Sequence, residues 1–218
     1  MPAALGMLHG QYVDGFTFDS VIQLLVTHPK LITEVISLRS GPSLAFGRNK
    51  MTEVFMESTD SDWLFCLDSD MVFQPEQIED LIKTAEKENL KILGGLAWVC
   101  GEGEASPDNM RGNLWSKIGG KQAAPEHYPV NTLTKVAATG AACVLIHRDV
   151  FKAIGKSGWW NHIIDDSADD QLGEDISFCQ RATDAGFDIY VHTGIEFGHV
   201  KSQILTSRIA FSERNTNE

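Results

Sequence analysis

The sequence predicts an α/β fold: a single domain whose mostly parallel central sheet is flanked by helices. Three observations carry that reading. Short apolar runs alternate with segments of helical periodicity from residue 3 to residue 99, the pattern of strand–helix–strand units feeding one sheet. The 218 residues are enough for one sizeable domain with a real core. The run Trp63-Leu64-Phe65-Cys66-Leu67 stops abruptly at Asp68-Ser69-Asp70, as a buried strand does where it leaves a sheet.

Residues 3–9 are the first expected strand. Residues 18–27 read as a helix, with Asp19 or Ser20 near its start and His28-Pro29 ending it. Residues 31–38 alternate as a strand through Ile32, Val35, Ile36 and Leu38, and Ser40-Gly41-Pro42 breaks the run. Over residues 45–57, Phe46, Met51, Val54 and Phe55 fall at near-helical spacing. After the 63–67 strand, Pro75 suits the first turn of a helix over 75–88, and 92–99 is a further strand. Residues 100–129 are rich in glycine, proline and polar residues and predict a long functional loop. Residues 135–147 return as a strand-like run interrupted at Thr139-Gly140, followed by a short helix at 149–154. The acidic loop from Asp165 to Asp170 precedes a helix over 174–185, with Ile176, Phe178, Cys179 and Ala182 on one side and Gly186 as its stop. Two short strands are expected at 189–191 and 195–200, and the polar tail is expected to fray over 212–218. No repeat and no second domain is evident.

Hydrophobic residues make up 43% of the chain and charged residues 22%, an ordinary globular balance. No apolar stretch is long enough to span a bilayer, and the segment from Met1 to His9 lacks the basic region of a signal peptide. A cytoplasmic protein is the simplest expectation. The net charge of −12 disfavours broad docking on nucleic acid or anionic membrane. Cys66, Cys100, Cys143 and Cys179 are widely spaced without a C-x-x-C pair, so buried free thiols are expected rather than a zinc site or a disulfide framework.

Ligands of open α/β sheets bind at the carboxyl ends of the strands, which is where Asp68 and Asp70 fall. Side chains two apart on an extended chain share a side, and two carboxylates there suit Mg²⁺ or Mn²⁺ together with substrate phosphates. They read equally as turn residues or as a cap for the next helix. Glu174-Asp175 reads as a pair of chemically active acids or as helix N-terminal acids placed for the dipole. His199 is a metal ligand or a structural histidine. Arg48 holds a diphosphate at a helix start or pairs with a surface acid. Trp159 and Trp160 offer flat apolar faces to a ligand or fill the core.

Taken in order, Ser40-Gly41-Pro42, Arg48-Asn49, Asp68-Ser69-Asp70, Thr139-Gly140-Ala141, Gly173-Glu174-Asp175 and Gly198-His199 resemble the GT-A class of nucleotide-sugar-dependent glycosyltransferases, from about Leu8 to Val200. The run from Glu174 to Gly186 is similar to the E-D-x-x-F-x-x-R-x-x-x-x-G texture of that fold. The chain looks closest to compact family-2-like transferases, including those encoded by bacteriophages of actinobacteria. It lacks a Q-x-x-R-W motif and so does not look like a processive polysaccharide synthase.

The resemblance implies a Rossmann-like GT-A domain over 1–218, with a nucleotide-sugar-binding half at 1–99, an acceptor-side half at 100–200 and a tail at 201–218. It implies Mn²⁺ or Mg²⁺ on Asp70 and His199, with Asp68 near the metal or the donor ribose. Donor contacts are implied for His9, Gly10, Val13, Arg48, Asn49, Asp68 and Ser69, and Asp175, beside Glu174, matches the general base of inverting members. Gly140, Trp159 and Trp160 fall on the acceptor side. The donor is then a nucleotide-diphosphate sugar. For a phage member acting in the host cytoplasm, the acceptor is a virion protein, with modified DNA as runner-up.

Elementary chemistry supports this independently. A departing nucleoside diphosphate gathers negative charge that a divalent ion stabilises, and an acceptor hydroxyl needs a base in an inverting displacement. A helix N-terminus and a nearby metal are both expected to lower the pKa of Asp175, keeping it ionised but weakening it as a base. Two other classes remain at this stage. A nucleotidyltransferase usually carries a glycine-rich phosphate loop, which Leu5 to Gly10 matches poorly. A non-catalytic nucleotide- or carbohydrate-binding module would have no need of every acid in the set.

Overall fold

The computed structural model describes residues 2–100, 109–118, 129–156, 158–165 and 170–201. In chain order its elements are β1 (Ala3–His9), α1 (Gly15–Thr27), β2 (Ile32–Arg39), α2 (Leu44–Ser58), β3 (Trp63–Asp68), β4 (Met71–Val72), α3 (Pro75–Lys87), β5 (Ile92–Cys100), β6 (Met110–Gly112), β7 (Leu114–Trp115), β8 (Leu133–Val136), β9 (Ala138–Thr139), β10 (Cys143–His147), α4 (Arg148–Ile154), β11 (Ile164–Asp165), β12 (Asp170–Gln171), α5 (Glu174–Asp184) and β13 (Ile189–His199). Most of the expected 100–129 loop, residues 166–169 of the acidic loop and the 202–218 tail lie outside the described residues.

Among the described residues the main sheet has nine strands, with the path β2-β1-β3-β10-β5-β13-β4 and with β6 and β8 attached to β5 and β13. β1 runs parallel to β2 and β3, and β13 runs parallel to β5. β10 lies antiparallel between β3 and β5, so β2, β1, β3, β5 and β13 all point the same way. Their carboxyl ends therefore share one edge of the sheet, and the start of β10 meets them there. One face packs α1 and α3 through Val21, Leu24, Ile78, Leu81 and Ile82. The other packs α2, α4 and α5 through Met51, Phe55, Phe151, Ile176 and Phe178. Near-continuous apolar strands such as Trp63–Asp68 are what a sheet covered on both faces requires.

Local chemistry sets the element ends. α1 begins at Gly15, three residues before the expected start, because the Asp14 carboxylate caps it by accepting from Phe16 N at 2.9 Å. Asp19 and Ser20 are therefore interior. Ser43 caps α2 in the same way, accepting from Phe46 N at 3.3 Å. Arg148 closes the other end of α2. Its guanidinium donates to the carbonyls of Phe55 and Met56 at 3.1 Å and of Thr59 at 2.7 Å, satisfying groups a helix end leaves open.

Two expectations are corrected. The 135–147 run is three strands in different pairings: β8 against β13, β9 against β7 in a separate two-stranded sheet, and β10 in the main sheet. The Gly140–Ala142 turn lets the chain change partners. The two strands expected at 189–191 and 195–200 are one, β13, with a register shift between His192 and Glu196. That irregularity hides the alternation of a continuous strand. The four cysteines are free, with Cys66, Cys143 and Cys179 buried.

β13 carries its last residues to the functional edge by close contact with β5. At Gly95 an added Cβ would fall on the buried Phe197 ring and 3.1 Å from Ile195 O. Gly95→Ala is therefore expected to destabilise the fold by about 1–3 kcal/mol, read as a lower urea midpoint. An unchanged midpoint would mean that Phe197 gives way freely.

Candidate active site

The turn Asp68-Ser69-Asp70 is pinned at three points. Asp68 N donates to Ala142 O at 3.0 Å, Ser69 O accepts from Asp14 N at 3.0 Å, and Asp70 O accepts from Val200 N at 2.8 Å. The partners come from the start of β10, the loop after β1 and the end of β13. The two carboxylates then separate into two clusters.

Asp70 belongs to the first. His199 pairs with Met71 across β4 and β13, which brings its Nε2 to 3.0 Å from Asp70 Oδ2. Its Nδ1 lies 2.9 Å from the Trp98 carbonyl, a group that only accepts, so Nδ1 carries a proton and the ring orientation is fixed. The Asp70 hydrogen bond raises the His199 pKa against the opposing effect of burial. Burial would raise the Asp70 pKa, but His199 and Lys201 outweigh it and the net direction is down. Lys201 Nζ lies 3.6 Å from Asp70 Oδ2.

The second cluster is built around Arg48, on the inner side of α2. Its Nη2 donates to Asp68 Oδ1 at 2.9 Å, its Nε to Glu174 Oε1 at 3.3 Å and its Nη1 to Ala141 O at 3.4 Å. The residue is only 3% exposed, and its Cζ sits 5.5 Å from the centre of the Trp160 ring. In this structure the Arg48 guanidinium, expected on the donor side, is turned inward and engaged with protein groups.

Asp175 follows Glu174 in the first turn of α5 and lies beside Gly140, whose added Cβ would be 3.7 Å from Asp175 Oδ2. Its Oδ1 accepts from Ile176 N at 2.8 Å. Burial, then the neighbouring Glu174 carboxylate, push its pKa up to about 6, against the Ile176 N–H and Arg48. The net direction is upward, opposite to the expected lowering, because desolvation and the Glu174 charge outweigh the hydrogen bond from Ile176 and the Arg48 charge.

The other sequence candidates are placed as follows. His9 and Gly10 end β1 at the site edge, with His9 Nδ1 2.9 Å from Gly10 O, and Val13 lies in the loop that Ser69 holds. Asn49 reaches the 159–161 loop, where it donates to Asn161 Oδ1 at 2.8 Å and accepts from Trp160 N at 3.1 Å. Its side chain, expected at the donor, here holds the 159–161 loop. Trp159 and Trp160 are 5% and 0% exposed. Trp160 stacks on Phe178 with ring centres 4.3 Å apart and donates Nε1–H to Thr52 Oγ1 at 2.9 Å. Both tryptophans, expected on the acceptor side, are packed in the core of this structure. Arg181 braces the same loop through Asn161 O at 2.6 Å.

Sequence reasoning missed Lys201 and Asn113. Asn113 is buried, accepting from Ala97 N at 2.8 Å and, through its backbone carbonyl, from Gly140 N at 3.0 Å. It braces β5 against the Gly140 turn. Neither residue lies in a motif, and only the fold brings them to the site.

The chain matches the family described as glycosyltransferase like family 2 over residues 23–217. It belongs to that family. This glycosyltransferase also shares its fold with solved structures. A197 from STIV matches with a TM-score of 0.61 and 17% identity, covering 93% of this chain and 87% of that one. The crystal structure of GalNAc-T7 with UDP, GalNAc and Mn²⁺ matches with a TM-score of 0.59 and 11% identity, covering 92% of this chain and 44% of that one. No curated protein matches. Among the described residues, no helix is long and apolar enough to cross a membrane.

No three His, Cys, Asp or Glu side chains among the described residues converge as a preformed metal cage. Asp70 and His199 nonetheless fit a hard divalent ion that takes its other ligands from water and phosphate oxygens. The Trp98 carbonyl orients the imidazole as an outer partner does for a metal-bound histidine.

Because the folded protein holds the Asp175 proton more tightly than the unfolded chain, the unfolded carboxyl ionises first as pH rises. Stability should fall between about pH 4 and 6.5 for this reason. Asp175→Asn should remove that slope and exceed wild type at alkaline pH by on the order of 1–3 kcal/mol, read by urea unfolding below, near and above pH 6. Parallel profiles for the two proteins would contradict a raised pKa.

Proposed function

We propose that this glycosyltransferase moves a sugar from a nucleotide-diphosphate donor to an acceptor hydroxyl in a reaction dependent on Mn²⁺ or Mg²⁺, with Asp175 as general base. The observation that carries the reading is the division of labour at one sheet edge. Asp70 with His199 forms one cluster, and Asp175 with a raised pKa belongs to another. A departing diphosphate and an attacking hydroxyl need two such sites. The GalNAc-T7 structure, which holds UDP and Mn²⁺, supports the same donor and metal class here.

In this reading residues 1–99 form the donor half and residues 100–200 the acceptor half. Asp70 and His199 hold the divalent ion, which supplies charge neutralisation to the leaving diphosphate when bound. Lys201 adds positive charge on the same side. His9, Gly10, Val13 and Ser69 line the donor end of β1 and β3. Asp175 takes the acceptor proton at a carboxylate oxygen. A pKa of about 6 makes it a better base than an ordinary aspartate while leaving it mostly ionised at neutral pH. Glu174 stays paired with Arg48 and keeps Asp175 company as a like charge. The net charge of −12 favours a protein hydroxyl, such as one on a virion protein, over DNA as acceptor.

Asp70→Ala should abolish Mn²⁺-dependent binding of a nucleoside diphosphate in calorimetry while the far-ultraviolet spectrum stays native. Wild-type affinity in that variant would overturn the metal assignment. Asp175→Asn should bind donor normally yet lose about 10²–10⁴-fold in transfer rate, and in wild type kcat should fall on the acid side of about pH 6. Full transfer by Asp175→Asn would remove the base role.

A further inference from the structure

We propose that Arg48 is a positioning residue for transfer: its buried guanidinium, forked between Asp68 and Glu174, holds the donor-side end of β3 in fixed register with the acceptor-side start of α5. The kinetic arm of this inference rests on the glycosyl-transfer reading above, and the structural arm rests on geometry alone.

The geometry singles Arg48 out. The two acids it joins are far apart in sequence and come from different halves of the chain. No hydrogen bond joins Asp68 directly to Glu174; the link runs through Nη2 at 2.9 Å and Nε at 3.3 Å of one side chain. Nη1 adds the Ala141 carbonyl at 3.4 Å, so the fork also grips the turn that carries Gly140 beside Asp175. Three edges of one planar group thus meet three chain segments. A planar guanidinium can do this because its donors diverge at fixed angles; a lysine ammonium presents a compact point charge instead.

The fork is itself held. Trp160 lies beside the guanidinium and is clamped from two directions: its ring stacks on Phe178 of α5, and its Nε1 donates to Thr52 of α2. Asn49, next to Arg48 on α2, binds the Trp160 backbone. The buried tryptophan and its asparagine therefore support the arginine from behind, which gives both residues a task in the site without contact with substrate.

Removing the arginine leaves Asp68 and Glu174 facing one another without the cation between them, with Asp175 adjacent. With the bridging cation gone, the like charges of these partly buried carboxylates repel one another, which moves the first turn of α5. The donor diphosphate does not touch Arg48 in this account, so donor affinity should survive while the placement of Asp175 does not.

Arg48→Met, which keeps the stem but not the fork, and Arg48→Lys, which keeps the charge, are compared with wild type and with Glu174→Gln. Three quantities are read: calorimetric affinity for a nucleoside diphosphate with Mn²⁺, kcat against donor KM, and hydrogen exchange at the Ile176 and Ser177 amides. For Arg48→Met the expected result is unchanged affinity and KM, kcat down by about 100-fold, and faster exchange at the two amides. Arg48→Lys should recover part of kcat, and should serve alone if Arg48→Met does not fold. In the double variant, Glu174→Gln should add little to the exchange change made by Arg48→Met. Weaker diphosphate binding at unchanged kcat would overturn the proposal and return Arg48 to the donor. Wild-type exchange in both arginine variants would also overturn it. Absence of transfer by the wild type would sink the glycosyl-transfer reading alone, because the exchange measurement still decides the role of Arg48.

Discussion

One charge withdrawn from solvent sets the terms for the rest of this structure. Arg48 is almost wholly buried, a situation that is costly for an ion unless partners replace its lost hydration. Asp68, Glu174 and the Ala141 carbonyl replace it. Burial pulls the arginine pKa down, but the surrounding carboxylates more than offset this and the net direction is up, so it stays charged. The arrangement obliges β3, α5 and the turn before β10 to stay together, because each holds one of the groups that satisfy the ion.

Strand direction then decides what else can meet them. Five strands present their carboxyl ends to one edge, and β13 runs alongside β5 through its register shift to end there at His199. The short β4 receives it just after the Asp68–Asp70 turn. That pairing puts the imidazole against Asp70 and leaves Asp68 to Arg48. Two aspartates separated by one serine thus face different chemistry: one is suited to a divalent cation, the other is part of a structural ion pair. The pinned backbone of Asp68, Ser69 and Asp70 keeps this division from relaxing.

The sequence made much of this visible, for identifiable reasons. Apolar runs ending in acids locate strand ends, and Gly173-Glu174-Asp175 marks a helix start, because burial and helix termini impose those patterns locally. Side-chain direction is another matter. Arg48 and Asn49 are adjacent in sequence, yet α2 turns one into the site and the other to the 159–161 loop, and α2 carries exposed Phe46 and Leu44 as well as buried Met51 and Phe55, so its apolar pattern does not declare which side faces in. Trp159 and Trp160 are equally mute: an aromatic pair is suited to core or to ligand, and Phe178 and Thr52, which decide the matter, are distant in sequence. The raised pKa of Asp175 depends on burial first and the Glu174 charge second, and the burial comes from the whole fold, which no local motif encodes. The antiparallel insertion of β10 between parallel neighbours is likewise a long-range choice.

Under the proposed function, metal and donor sit on the Asp70 side while Arg48 remains inside. A crystal structure grown with Mn²⁺ and a nucleoside diphosphate, with anomalous scattering used to locate manganese, tests it most directly. The expected result is a manganese peak between Asp70 and His199 Nε2, diphosphate oxygens completing its shell, and Arg48 still joining Asp68 to Glu174. A diphosphate bound to Arg48, or manganese bound away from Asp70 and His199, would contradict it.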